Sequence, residues 1–306
     1  APLGGRTVAD GVPAKQATSA GTGGIGTANA SGRAGDLSLD GIPDIVARNR
    51  NTGHLNLYAH SGSYNGLQTF PTVQSTSYGW GGMTWLGTGY VTADNAIDVI
   101  ARAADGRLLV YPHSGSLANY PVITPPTVLG YGWGINDLIT VDDWNADGYD
   151  DILGRRAGTG DVYLYQHSGT FNGTSTYPSA GLVLTGAELD VWQAFGDFTG
   201  DGVTDLVYKD VDGFLGVYDF LVDSDPGTPG PEGQNYYVGY GWNINDRLLL
   251  MDVDGNGYTD VLARNGANGN LVAYTHSGTW DTTNPYGSLQ SPSLLGYGWT
   301  VNDIIT

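Results

Sequence analysis

From Asp36 onward, apolar and polar positions fall into a pattern that recurs five times. In each repeat an aspartate runs directly into a short apolar stretch that ends on a base. These stretches are Ile45-Val46-Ala47-Arg48, Val99-Ile100-Ala101-Arg102, Ile152-Leu153-Gly154-Arg155, Leu206-Val207-Tyr208-Lys209 and Val261-Leu262-Ala263-Arg264. Each reads as a strand. A turn with Gly or Asn follows (Asn51-Thr52-Gly53, Asp105-Gly106, Gly158-Thr159-Gly160, Asp212-Gly213, Asn268-Gly269). Then comes a run such as Val162-Tyr163-Leu164-Tyr165 or Leu271-Val272-Ala273-Tyr274. Alternation, β-branched and aromatic residues, and turns of this kind predict hairpins. A third short strand ends in Gly-Tyr-Gly-Trp, and a fourth, such as Asp137-Leu138-Ile139-Thr140-Val141, delivers the chain to the next repeat. No segment carries a 3.6-residue period long enough for a helix.

The aspartates that open the apolar runs, Asp44, Asp98, Asp151, Asp205 and Asp260, lie 54, 53, 54 and 55 residues apart. Self-similarity at a fixed period means a repeat array, and four short strands per repeat describe a propeller blade. The predicted fold is all-β, a five-bladed β-propeller of four-stranded blades over residues 34–306. The last segment, Gly296-Tyr297-Gly298-Trp299 through Thr306, stops after its fourth-strand stretch, and the missing remainder of that repeat begins near Gly35. The ring is therefore expected to close by joining N- and C-terminal segments in one blade, which removes exposed strand edges. Residues 1–33 are rich in Gly, Ala, Thr and Ser and read as a flexible leader, or else as an extended arm lying on the folded body.

The polar residues before each apolar run carry their own spacing. Asp143-x-Asn145-x-Asp147-Gly148-x-x-Asp151 puts oxygen side chains at positions 1, 3, 5 and 9 of a nine-residue loop, with Gly at position 6. The pattern returns as Asp36, Ser38, Asp40, Asp44; as Asp197, Thr199, Asp201, Asp205; and as Asp252, Asp254, Asn256, Asp260. Hard oxygen ligands at alternating positions converge on one cation when the backbone turns sharply, and Gly permits the turn. About four structural Ca²⁺ sites are expected from these loops, with the carbonyl at position 7 as a further ligand. The second repeat has Tyr90 at position 1 and Asn95 at position 6, which puts its site in doubt.

Here the residues carry a resemblance. From Asp36 through Thr306 the loop–strand repeats resemble FG-GAP/VCBS repeats, the calcium-bearing blades of integrin-type propellers and of many secreted bacterial proteins. That resemblance implies a β-propeller with one calcium per intact loop. The Gly-Tyr-Gly-Trp-x-x-Asn-Asp element is similar, more loosely, to the repeats of five-bladed lectins of the tachylectin type.

Charge and composition narrow the partners. With 31 acidic and 12 basic residues the net charge is -19. Such a surface repels nucleic acid and anionic lipid. Nearly all the acids are Asp, and many sit in the loops, so bound cations would cancel much of the charge. The chain has no cysteine, so disulfides say nothing of its compartment. No apolar run approaches membrane-spanning length. Loops of modest charge suit millimolar calcium outside cells, and a start at Ala1 rather than Met fits a processed exported protein. The expected localisation is secreted.

The remaining candidates recur with the repeat. Trp80, Trp133, Trp242 and Trp299 each follow a tyrosine (Tyr78, Tyr131, Tyr240, Tyr297), and three of these frames continue into Asn136-Asp137, Asn245-Asp246 and Asn302-Asp303. Repeat 4 has Gly186-Ala187 instead. A Tyr-x-His-Ser-Gly element, or a close variant, places His60, His113, His167 and His276 at one repeat position, where repeat 4 has Phe220. One reading is structural: Trp and Tyr pack between blades, and His and Ser hold a turn. The other is a sugar site repeated around the ring, with aromatic faces for the C–H face of a sugar and Asn and His for its hydroxyls. Both hold together if Tyr packs and Trp faces out. The bases Arg48, Arg102, Arg155, Lys209 and Arg264 occupy one slot, and an internal ion pair with a loop or Asn-Asp carboxylate is expected. Glycoside hydrolysis needs a carboxyl pair, and Glu188 and Glu232 stand alone in irregular segments. No nucleophile frame or zinc motif appears. The expected function is thus non-catalytic binding of glycans by a secreted, calcium-stabilised propeller. A protein-interaction propeller of an exported assembly is the alternative, and a glycan-cleaving enzyme comes third.

Overall fold

A computed structural model describes residues 6–9, 35–92, 94, 96–118, 121–145, 147–220 and 233–306. The apolar run after each closing aspartate becomes the second strand of a four-stranded antiparallel sheet. These strands, for example Asp151–Arg156 and Asp260–Asn265, are buried along almost their whole length. A strand covered on both faces reads as a continuous apolar run, and neighbouring blades supply that cover here.

Five such sheets form the blades. Blade I joins Asn302–Ile305 to Ile45–Asn49, Leu55–Ala59 and Thr72–Ser77. Blade II is Met83–Gly89, Asp98–Ala103, Leu108–Tyr111 and Thr127–Gly130; blade III is Asn136–Asp142, Asp151–Arg156, Val162–Tyr165 and Ala180–Thr185. Blade IV is Asp190–Gly196, Asp205–Asp210, Phe214–Phe220 and Gly233–Tyr240; blade V is Asn245–Met251, Asp260–Asn265, Leu271–Tyr274 and Ser293–Gly296. The first strand of each blade touches the first strands of both neighbours, so the five line a central channel. The helical segments among the described residues are single 3₁₀ turns, and none is long and apolar enough to cross a membrane.

The closure expected from the sequence is present. Ala47 pairs with Ile305 and Arg48 with Ile304, and Val46 and Thr306 exchange backbone hydrogen bonds of 2.8 and 2.9 Å. The core lies between blades rather than within one. Ile45 and Ala47 of blade I pack with Met251 and Leu262 of blade V, and Ile100 and Val110 of blade II pack with Ile139 and Ile152 of blade III. Hydrophobic burial therefore binds each blade to the next, and a missing blade would expose two apolar faces.

The chain start contributes one more strand. Thr7–Val8 pairs with Leu184 and Thr185 on the outer edge of blade III, and Arg6 reaches Asp190. The rest of the segment 1–33 lies outside the described residues, as does the Pro- and Gly-rich stretch Asp223-Ser224-Asp225-Pro226-Gly227-Thr228-Pro229-Gly230-Pro231, which reads in the sequence as a loop inserted into repeat 4.

Candidate functional site

Each expected cation loop leads into the second strand of a blade; loops 3, 4 and 5 come to it from the first strand, whereas the first strand beside loop 1 is supplied by the other end of the chain. The position 1 carboxylate is wrapped by the loop backbone: the N–H groups of Asp147 and Gly148 donate to Asp143, those of Asp40 and Gly41 to Asp36, those of Gly200 and Gly202 to Asp197, and those of Asn256 and Gly257 to Asp252. That wrap requires the turn at position 6, where Gly41, Gly148, Gly202 and Gly257 have φ of 86 to 91°. The closing aspartate spans two elements. Asp260 accepts from the N–H of Val253 in the loop and of His276 at the end of the third strand, and Asp44 does the same with Ser38 and His60.

These sites hold buried negative charge in excess of their donors. Burial, with nearby aspartates adding to it, pushes Asp44 up to about 7 and Asp151 and Asp260 up to about 8. Asp151 Oδ2, Asp205 Oδ1 and Thr199 Oγ1 are buried with no hydrogen-bond partner among the described residues. Carboxylate oxygens of Asp252, Asp254 and Asp260 lie within 4.8 Å of one another. Orphaned hard oxygens and crowded carboxylates are a donor set suited to a hard divalent cation. Loop 2 differs at position 1, where Tyr90 replaces the aspartate. Asp98 accepts from the N–H groups of Thr92 and His113, and the N–H of Tyr90 donates 2.6 Å to Asp150, a fully buried carboxylate from the loop of blade III. The closing aspartate of loop 2 is thus held as those of loops 1 and 5 are, and the bond from Tyr90 to Asp150 is what sets this loop apart.

The bases in the shared slot are interblade clamps, and three of the five make the expected ion pair with an Asn-Asp carboxylate or its equivalent. Arg48, Arg155 and Arg264 make bidentate pairs with Asp303, Asp137 and Asp246 of their own blade. Their remaining nitrogen, Nη1, donates to carbonyls of the next connector: Trp80 and Met83, Ala187 and Asp190, Trp299 and Asn302. Lys209 reaches Asn245 O, and Arg102 reaches Asn136 O. A guanidinium can do both at once because its planar fork carries five donors.

The aromatic frame is inverted relative to expectation. Trp80, Trp133, Trp242 and Trp299 are 2 to 6 % exposed, each with its ring centroid 4.4 to 4.6 Å from a third-strand tyrosine (Tyr111, Tyr165, Tyr274, Tyr58). The tyrosines of the frame face out: Tyr78, Tyr131, Tyr240 and Tyr297 are 71, 70, 77 and 66 % exposed. The backbone explains the inversion. The glycine before each Trp (Gly79, Gly132, Gly241, Gly298) is left-handed, φ 73 to 96°, and caps a 3₁₀ turn that swings the indole inward. In three frames the indole nitrogen then occupies the space a side chain would need at Gly130, Gly239 or Gly296.

The other expected sugar ligands are also internal. Asn136, Asn245 and Asn302 are buried, and Asn302 Nδ2 donates 3.1 Å to the Tyr58 hydroxyl. His60, His113, His167 and His276 are buried. Each ring's Nδ1 accepts the N–H of the following glycine, at 2.9 to 3.1 Å. Nε2 of His60 and His167 lies 3.1 Å from the carbonyls of Val253 and Val91 in the preceding blade's loop. Burial lowers the pKa of all four, that of His276 to about 4, so they are neutral struts between blades. Sequence reading missed the rings that hold two of them: Tyr149 and Tyr258, at position 7 of their loops, stack on His167 and His276 at 4.6 and 4.8 Å. Their shared loop position was the available signal.

Comparison with known proteins follows this geometry. Residues 143–208, two successive loop–strand units, match the FG-GAP-like repeat. No curated protein matches the chain. A solved structure from a study of the de novo evolutionary emergence of a symmetrical protein shaped by folding constraints is similar, with a TM-score of 0.52 and 16 % identity, covering 86 % of this chain and 97 % of that one. A lectin of Agrocybe aegerita, described as recognising non-reducing terminal N-acetylglucosamine, aligns with a TM-score of 0.42 and 17 % identity over 86 % of this chain and 65 % of its own. At such identities the likeness concerns the fold.

Proposed function

We propose that this propeller is a secreted, non-catalytic carbohydrate-binding protein, stiffened by calcium in loops 1, 3, 4 and 5, that engages glycans through its exposed tyrosines. The observation that carries the reading is the recurrence of Tyr78, Tyr131, Tyr240 and Tyr297, about two-thirds or more exposed, at one position of four connectors. Their packing does not require them, because the neighbouring tryptophans fill the interblade space. An exposed aromatic face with a hydroxyl at its edge stacks on a sugar's C–H face and hydrogen-bonds its rim. All four connectors lead from an outer strand into a channel-lining strand, so the tyrosines share one face of the ring. Weak single sites on one face act together on a multivalent surface.

A protein partner is the second reading. Leu189, Val191, Val211 and Ile244 are exposed around blade IV, and Val211 N–H bonds to Leu189 O, which makes part of that surface contiguous. A glycan array probed in millimolar calcium, with wild type beside a variant carrying Tyr→Ala at positions 78, 131, 240 and 297, tests both. Glycan binding lost in the variant supports the first reading. A folded, calcium-loaded protein that binds no glycan turns the question to the blade IV surface.

A further inference from the structure

The five bases of the interblade clamps have register partners on the channel-lining strands: Ile304 opposite Arg48, Trp85 opposite Arg102, Leu138 opposite Arg155, Trp192 opposite Lys209 and Arg247 opposite Arg264. These five residues therefore form one ring around the channel, and all line a cavity of about 400 Å³ or its rim. That size lies in the range of ligand pockets, about 300–1,000 Å³. The blades repeat elsewhere, but this ring does not: it holds two tryptophans, two aliphatics and one cation. In a symmetric array a binding site for a single ligand shows itself as such a break.

Two details give the ring its chemistry. The indole of Trp85 lies along its own strand, its six-membered ring in the space a side chain at Gly87 would take. Trp85 packs in part against the core between blades II and III and also lines the cavity, as Trp192 does beside the core between blades IV and V. Arg247 is half-buried and held by carbonyls alone, with Nε and Nη2 on Asp303 O at 3.0 and 2.7 Å and Nη1 on Asp246 O at 2.6 Å. Among the described residues no carboxylate pairs with it, because those of Asp246 and Asp303 are taken by Arg264 and Arg48. Three bonds leave two of its five N–H donors unclaimed. A guanidinium fixed by neutral acceptors is a prepared place for an anion, and of the aspartates on the same lining, Asp137 and Asp303 are already paired with Arg155 and Arg48.

We propose that the central channel binds one carboxylate-bearing sugar unit, a uronate, with the carboxylate on Arg247 and the pyranose ring against Trp85 and Trp192. The site is separate from the tyrosine face and independent of the reading given to it.

Glucuronate and glucose are titrated into the calcium-loaded full chain at low salt, followed by tryptophan fluorescence and by calorimetry. Glucuronate should bind at least about tenfold more tightly than glucose. Arg247→Gln should bring the two sugars level. Ala194→Phe, which fills the channel below the ring while leaving Arg247, Trp85 and Trp192 in place, should abolish both signals. The variant lacking the four outer tyrosines should behave as wild type, whatever the glycan array shows. Acetate binding as well as glucuronate would overturn the sugar assignment in favour of a bare anion site. Absence of glucuronate binding by the folded wild type, or a preference that survives in a folded Arg247→Gln, would overturn the proposal.

Discussion

Arg6 and Asp190 form a buried ion pair at the one blade junction that lacks the tryptophan. Arg6 Nη1 donates 2.9 Å to Asp190 Oδ2, and Nη2 reaches Oδ1. Asp190 stands at the repeat position of Asn136, Asn245 and Asn302, and Ala187 stands where the others have Trp. The guanidinium lies 3.7 Å over the Tyr208 ring. Leu184, at the position of the glycine that yields to the indole elsewhere, is buried and pairs with Val8. The chain start thus occupies the junction whose own aromatic is missing, and adds a strand to the blade beside it.

Removing one partner of a buried pair leaves an uncompensated charge and costs about 3–5 kcal/mol. Arg6→Ala is expected to lower the melting temperature clearly, since the Asp190 side chain is fully buried. Adding Asp190→Asn, the residue of three other junctions, should recover most of the loss. A single variant that melts with wild type would show that the arm contributes nothing to the ring.

Tyr131 and Trp133 are two residues apart and face opposite ways, so their substitutions should separate. Trp133→Ala empties a core site and is expected to cost about 3–5 kcal/mol. Tyr131→Ala removes an exposed ring and should stay within about 0.5 kcal/mol. Thermal melts of the two variants check this directly, and equal destabilisation would contradict the packing described above.

The repeat, the four strands per blade and the closure were legible because second strands buried on both faces read as unbroken apolar runs, and because the loops carry ligand-type spacing. The direction of Trp133 was not. Gly132 signals only that the chain turns, and which neighbouring ring swings inward depends on the void above Gly130, created by a residue three positions earlier and by Tyr165 of the next blade. Arg6 was illegible for a similar reason: its partner is 184 residues away, and nothing local marks it. The channel ring escaped because its five positions carry Ile304, Trp85, Leu138, Trp192 and Arg247, a mixture in which no residue type repeats with the period.

Leu39 is the one non-glycine residue with positive φ among the described residues, at 65°. It sits at position 4 of its loop, where loops 4 and 5 have Gly200 and Gly255 at 76 and 75°. A left-handed L-residue costs roughly 1–2 kcal/mol, partly offset by the greater freedom glycine has when unfolded. Leu39→Gly should therefore raise stability by up to about 1 kcal/mol, seen as a higher melting temperature. A drop would mean that the half-exposed leucine side chain contributes more than its backbone costs.

The loops should also make stability depend on calcium and pH in opposite ways. Without a cation, burial holds the pKa of Asp44 near 7 and those of Asp151 and Asp260 near 8, against about 3.9 in an unfolded chain. A carboxyl whose folded pKa is raised gives stability that is complete below its unfolded pKa and is lost as pH rises through the folded one. In chelator the melting temperature should accordingly fall between about pH 4 and pH 8. A bound cation favours the ionised form and displaces the protons, so its stabilisation grows over the same range. Each site at a hundredfold excess of calcium over its Kd contributes about 2.7 kcal/mol, and the gap between calcium and chelator should be widest near pH 8. Melting curves at pH 5, 6.5 and 8 in each condition measure that gap. Coincident curves at pH 8 would remove calcium from the account of how this ring is held, and would leave Asp151 Oδ2 and Asp205 Oδ1 as orphaned acceptors needing another partner.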